Sequence, residues 1–399
     1  MSASLSMSNL TRAPHRLMFF VGGLNLLLAM AWWAAWLITA RWDVFPMPQP
    51  DPYAGRLHAF LMQYQVLPSF FFGFLLTVFP RWIGEPDLGR RVAWPVGAGL
   101  VGGQALTIAG AVGWHAAVIP GTIATLTGWI IGLVPLARLV VRDRGKTWHA
   151  LGCFAALCAG AVGLLFWLVY LVTGNEVLAD KTIRIGTFGL LLPVYFTVAH
   201  RMIPFFSASA LPGYEPWRPK WALGAGWGLF LLRLALPAEW LWLSDLPLFL
   251  LALLLFMRWF PGRRMPPLLF VLYAGLAWLP AAFALFTVQD IVFALKGAVI
   301  LGKAPAHALF IGFFGSILVA MVTRVTQGHS GRPLSLPPVA AYTFAAVQFV
   351  CIVRIAAELV NDWLAWQAVA AAGWLIAFLP WILWAMRIYI LPRADGRPG

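Results

Sequence analysis

Apolar runs of about twenty residues, separated by short polar stretches, recur from one end of the chain to the other. An α-helix needs a run of that length to cross the hydrocarbon core of a bilayer, about 30 Å at 1.5 Å per residue. Clear runs are Leu17–Ala40, Leu57–Val78, Thr147–Thr173, Pro266–Gln289, Ala304–Thr323, Leu334–Val353 and Trp363–Met386. Val92–Ala137 carries no charge except on a protonated His115, is too long for one span, and breaks near Gly113–His115 into two. Ile185–Phe206 is a further run, with His200 and Arg201 near its end. Trp221–Leu236 and Leu241–Met257 are weaker, because they hold Arg233 and Asp245. The pattern predicts an all-α, polytopic membrane helix bundle of about twelve transmembrane helices, in one integral-membrane domain over residues 1–399. No segment alternates as the strands of a membrane barrel do. His58-Ala59-Phe60 and His307-Ala308-Leu309 open two spans of the same direction, but three residues are too few to define an internal repeat.

Composition sharpens this picture. Of 399 residues 61% are hydrophobic and 11% are charged, against roughly 25% charged in soluble domains. Such a chain needs lipid as solvent and leaves no room for a sizeable soluble domain. Charge then sets orientation. With both termini in the cytoplasm, 20 of the 28 Lys and Arg fall on the inner side and 8 on the outer side. That is the expected bias of inward loops, and a missed span would scramble it. The basic residues are spread thinly over short loops, which excludes a nucleic-acid surface despite the net charge of +14. Cys153, Cys158 and Cys351 all lie in apolar runs and form neither a CxxC pair nor a disulfide framework. Arg12, His15 and Arg16 before the first run imitate a signal peptide, but the run itself is too long for one and reads as a retained span.

In so apolar a chain the polar residues inside spans are the informative ones. His15 reads as solvated in a polar tail, and His115 and His149 as residues at span edges. The other four histidines fall in two layers. His58 and His307 open spans at the outer side; His200 ends a span at the inner side, and His329 follows one there, in a Gly-containing loop. His307 and His329 are 22 residues apart, about 33 Å along a helix, so they cannot share one metal ion. At 100° per residue His58, Met62, Gln65 and Ser69 share one helix face. That polar stripe should face the bundle interior. Imidazole suits haem iron and copper, and a thioether suits Cu(I). Interhelical hydrogen bonding alone is the competing reading. In the inner layer Arg201, Arg324 and Arg332 lie near His200 and His329, and arginine pairs two-pronged with carboxylates such as haem propionates. The same arginines also serve as positive-inside anchors.

Three motifs carry a resemblance. They are Gly73-Phe74-Leu75-Leu76-Thr77-Val78-Phe79-Pro80-Arg81-Trp82-Ile83-Gly84, His200-Arg201-Met202-Ile203-Pro204-Phe205-Phe206-Ser207, and the stretch from His307-Ala308-Leu309 through Gly312, Met321, Thr323 and Arg324 to Gly328-His329-Ser330-Gly331-Arg332-Pro333-Leu334. In order and spacing they resemble the NnrS family over nearly the whole chain. The resemblance implies a bacterial inner-membrane protein containing haem and copper, associated with denitrification and with relief of nitric oxide stress. It implies the lipid bilayer as environment and nitric oxide as a small-molecule partner. It matches His58, His307 and His329 to family histidines without assigning a metal to each. Phe60 and Leu61 stand where the family often has His and Glu, and the family often lacks a His at position 200.

The expected ligand set is therefore His58, His307, His200, Arg201, Arg324 and Arg332 for haem, and His58, Met62, His307 and His329 for metal. For haem, His307 paired with His58 at the outer side competes with His200 and His329 at the inner side. Two other functions stay in play. A haem–copper oxidase or nitric oxide reductase-like subunit would need adjacent histidines for copper, and the chain has no His-His pair. A transporter without metal would need in-span acids, for which Asp245 and Glu358 are the nearest residues.

Overall fold

The computed structural model describes residues 6–89 and 91–396. Arg90 and Arg397, two of the basic residues assigned to the inner side, lie outside the described residues. A helix stands at each place the apolar runs predict. In chain order these are α1 (Pro14–Trp42), α2 (Ala54–Ile83), α3 (Ala93–Ala111), α4 (Val118–Asp143), α5 (Trp148–Thr173), α6 (Glu176–Ala210), α7 (Lys220–Ala235), α8 (Trp242–Trp259), α9 (Pro267–Lys296), α10 (Ala304–His329), α11 (Pro338–Ala356) and α12 (Trp363–Ile390). Among the described residues there is no strand. Ten of these helices are long and apolar enough to cross a membrane. The exceptions are α3, diluted by Gly97, Gly99, Gly102, Gly103 and Gly110, and α7, which has 16 residues and carries Arg233.

Local sequence explains the helix ends. Pro14, Pro267 and Pro338 occupy first-turn positions, where a missing N–H costs nothing. Gly174 ends α5 in the left-handed region at φ 68°, and its N–H closes on the Tyr170 carbonyl. Exposed Trp42, Trp94, Trp148, Trp221 and Trp363 sit near helix ends, where an indole can face headgroups.

The chain forms two compact units, one running to Val194 and resuming at Ile382, the other spanning Tyr195–Trp381. In the first unit α3 and α4 pack backbone to backbone. A Cβ added to Gly99 would lie 2.6 Å from Gly128 Cα, and one on Gly103 would lie 2.7 Å from the Gly121 carbonyl oxygen. Small residues four apart let membrane helices approach this closely. The N-terminal segment also packs here. Arg16 Nη1 donates to the carbonyls of Tyr389 (3.2 Å) and Leu391 (2.8 Å), which caps the end of α12. The solvated reading of His15 is overturned: the residue is 3% exposed, in the first turn of α1 and edge-on to Phe19. Once α1 starts at Pro14, its first turn is inside the bundle.

Three helices contain a widened π-helical segment: Leu61–Val66 in α2, Gly186–Leu191 in α6 and Ala308–Gly315 in α10. These are also the most enclosed spans. Their apolar windows are 72%, 78% and 72% buried, against 33–67% for the other spans. Buried side chains donate to carbonyls within the widened turns. Trp129 Nε1 reaches Tyr64 O at 3.2 Å, and Tyr195 Oη reaches Phe314 O at 3.2 Å. In the first unit Gln63 Nε2 donates to Thr187 Oγ1 at 2.9 Å and so ties two of the segments together.

Candidate functional site

The four histidines singled out from the sequence all lie on the three most enclosed helices: His58 on α2, His200 on α6, and His307 and His329 on α10. Single π-turns recur at functional sites, because they re-aim the side chains around them. His58 and His307 each stand immediately ahead of one, three residues before Leu61 and one before Ala308.

His58 is half-buried in the first unit and stacks on Trp33 at 4.4 Å and 9°; Trp33 stacks in turn on Trp36. This flat aromatic wall holds the imidazole plane. Two residues earlier Arg56 pairs with Glu176 and, at 3.3 Å, with Asp180, which fastens the start of α2 to that of α6. Met62 follows one turn after His58, half-buried in the π segment. Gln65 and Ser69 are fully buried, as the polar stripe predicts.

His307 is half-buried in the second unit, with Nδ1 2.9 Å from the Lys303 carbonyl. A carbonyl only accepts, so Nδ1 carries a proton in this contact, and in the neutral ring Nε2 is then the nitrogen able to ligate a metal. Its own carbonyl accepts from Cys351 Sγ at 3.8 Å. Farther along the helix, Trp278 covers Gly312 and donates to Gln348 Oε1 at 2.6 Å; Gln348 donates to Ser316 Oγ at 2.7 Å.

His329 is at the opposite end of α10. The sequence reading placed it in a loop, but it is the last residue of the helix, and the turn begins at Ser330. His200 is fully buried, with Nε2 3.2 Å from the Pro219 carbonyl and its ring edge-on to Trp259. Arg324 lies over the Phe206 ring at 4.0 Å. Arg201 is half-buried, and its carbonyl is 3.5 Å from Arg218 Nη1. Arg332 Nη1 is buried with no hydrogen-bond partner among the described residues, and burial pushes this guanidinium's pKa down. A buried donor of this kind suits an acceptor such as a carboxylate.

Among the described residues no three His, Cys, Asp or Glu side chains come together as a metal cage. Haem makes no such demand, since one or two axial imidazoles hold its iron. Copper would need a thioether or backbone oxygen beside a single imidazole, and Met62 is the thioether nearest in sequence to His58. Sequence reasoning missed Trp33, Gln63, Asn25 and Gln104. An isolated Trp, Asn or Gln in an apolar run gives no signal until its partner on another helix is known.

No protein of curated function matches the sequence. The profile of the family described as NnrS protein matches residues 9–393, nearly the whole length, and the chain belongs to the NnrS family.

Proposed function

We propose that this membrane protein binds haem and copper and acts in the response to nitric oxide. One observation carries the reading. In a member of this family, the histidines that match family positions stand on the most enclosed helices, two of them beside π segments. His307 is the proposed axial haem ligand, because a carbonyl fixes its tautomer and a helix fixes its position. Bound haem would supply an iron that takes nitric oxide. The protein's part is to present Nε2 of His307 and to keep the surroundings apolar. His58 with Met62 is the proposed copper pair. His200 and His329, with Arg201, Arg324 and Arg332, form the competing haem layer, and the buried Arg332 donor is the feature in its favour. The transporter reading weakens, because Asp245 is paired with Arg233.

The test is the absorption spectrum of the purified, monodisperse protein from haem-replete cells. A Soret band is expected, and His307→Ala should remove or shift it while the protein stays folded. An unchanged band in His307→Ala with loss in His329→Ala would move the haem to the other end of α10. No Soret band in the unaltered protein would overturn haem binding.

A further inference from the structure

Halfway along α1 and α3, in the first unit, three buried carboxamides form a network with one unusual property. Asn25, Gln65 and Gln104 are fully buried, as are Ser69, Thr107 and Thr125 around them. Asn25 Nδ2 faces the carbonyls of Gln65 (3.3 Å) and Leu100 (3.4 Å) and Ser69 Oγ (3.4 Å). Gln65 Nε2 faces Thr107 Oγ1 (3.0 Å) and Thr125 Oγ1 (2.9 Å). Gln104 Nε2 donates to the Asn25 carbonyl at 2.5 Å.

An amide group can be turned over, so its orientation has to be argued from its neighbours. Here every neighbour is an acceptor. Each hydroxyl has already spent its one hydrogen on a backbone carbonyl: Ser69 on Gln65 (2.7 Å), Thr107 on Gly103 (2.8 Å) and Thr125 on Gly121 (2.9 Å). Turning over Asn25 or Gln104 would set oxygen against a backbone carbonyl oxygen, and turning over Gln65 would require both threonine hydroxyls to give up their carbonyl partners. The nitrogens are therefore fixed, and so are the oxygens. Asn25 Oδ1, Gln65 Oε1 and Gln104 Oε1 are left buried with no donor among the described residues.

Buried amide oxygens are nearly always paired, and a polar site without its own donors is where internal water is found. We propose that this network is a water-binding site inside the membrane-embedded first unit. The occupant has to donate hydrogen bonds. A neutral occupant fits better than a cation, because among the described residues no acidic side chain belongs to the network to compensate a lone charge. Water meets both conditions. Each molecule carries two hydrogens, so three oxygens require at least two molecules. The site lies on the helix that carries His58, seven residues farther on, and gives that helix a hydrated interior.

The experiment is infrared spectroscopy of the full-length protein in lipid, comparing H2¹⁶O with H2¹⁸O. Sharp isotope-sensitive O–H bands of internal water are expected in the unaltered protein, and Gln65→Met, which keeps length and volume but removes the carboxamide, should lose at least one of them. If Gln65→Met fails to fold, Gln104→Leu serves as the second variant, with the same loss expected. Absence of such bands from the unaltered protein would overturn the proposal. So would bands that survive in both variants. A thermal midpoint that rises with Na⁺ or K⁺, relative to choline at equal ionic strength, and no longer does so in the variants, would assign the site to a monovalent cation and overturn water.

Discussion

Arg233 on α7 lies with Nε 2.7 Å from Asp245 Oδ1 on α8, and both side chains are buried. A second carboxylate, Asp290 on α9, approaches Arg233 Nη2 at 3.4 Å, and Phe286 packs against the guanidinium at 4.9 Å. The two charges that weakened α7 and α8 as predicted spans therefore answer each other. Breaking such a buried pair from one side strands the other charge, at a cost of about 3–5 kcal/mol. Asp245→Asn should lower stability toward the bottom of that range, because Asp290 still faces the arginine. Asp290→Asn should cost less, in keeping with its longer contact. Thermal unfolding of both variants in the same detergent checks the order; equal losses would show that the 2.7 Å pair is not the dominant one.

The contact between α3 and α4 gives a sharper steric expectation. A side chain at Gly99 meets backbone, with Gly128 Cα at 2.6 Å and the Ala124 carbonyl oxygen at 2.8 Å. Backbone cannot rotate away, so Gly99→Val should cost about 3 kcal/mol, the upper end for overpacking. Gly102, on the same helix, has nothing within 4 Å of an added Cβ. Gly102→Ala should stay within roughly 0.5 kcal/mol of the parent protein. The folded fraction recovered by size-exclusion chromatography separates the two, and equal recovery would refute the close packing.

Much of this was legible in the sequence, and the failures have physical causes. The helix positions followed from apolar run length, and the break at Gly113–His115 was placed correctly, because a glycine beside a polar residue is a local signal. His58, His200 and His307 were polar residues in apolar runs, His329 followed one, and all four fell on the enclosed helices. The π segments were not legible. The stripe through His58, Met62, Gln65 and Ser69 assumed 100° per residue, whereas the widened turn at Leu61–Val66 advances less per residue and brings Gln63 inside as well. His15 and His329 were misjudged for a common reason: each lies at a helix end, which is the least certain part of any sequence reading. Asp245 was noticed as an in-span acid but not matched to Arg233, although opposite charges in two successive weak spans were visible from the start.

The charge distribution predicts both termini in the cytoplasm, and the helix boundaries refine where to test it. Lys181, which lies between the apolar runs Thr147–Thr173 and Ile185–Phe206, is inside α6. The α5–α6 connection is the turn at Gly174–Asn175, where Asn175 caps the N–H of Val177 at 3.1 Å. A reporter placed in that turn should show a periplasmic phenotype, and one fused after Arg393 a cytoplasmic phenotype. Seven helices separate the two reporters, so finding both on the same side of the membrane would undo the twelve-span reading, and finding both sides exchanged would invert the orientation.

His58 is held flat against Trp33 at 4.4 Å, and Met62 follows one turn later, at the start of the π segment. A soft thioether beside an imidazole favours Cu(I). Met62→Leu keeps volume and apolarity and should cost less than about 1.5 kcal/mol in packing. Its effect on copper can therefore be read without a folding artefact. Copper per folded protein, measured by elemental analysis after growth with added copper, should fall in Met62→Leu and fall further in His58→Ala. The Soret band of Met62→Leu should be unchanged if haem sits on His307, because Met62 is then a copper donor and not a haem ligand. Trp33→Leu offers a finer test: it leaves both donors in place but removes the wall that fixes the imidazole plane. It should weaken copper retention under a competing chelator more than it lowers copper content at saturation. Copper that stays unchanged in both Met62→Leu and His58→Ala would remove this end of α2 from consideration.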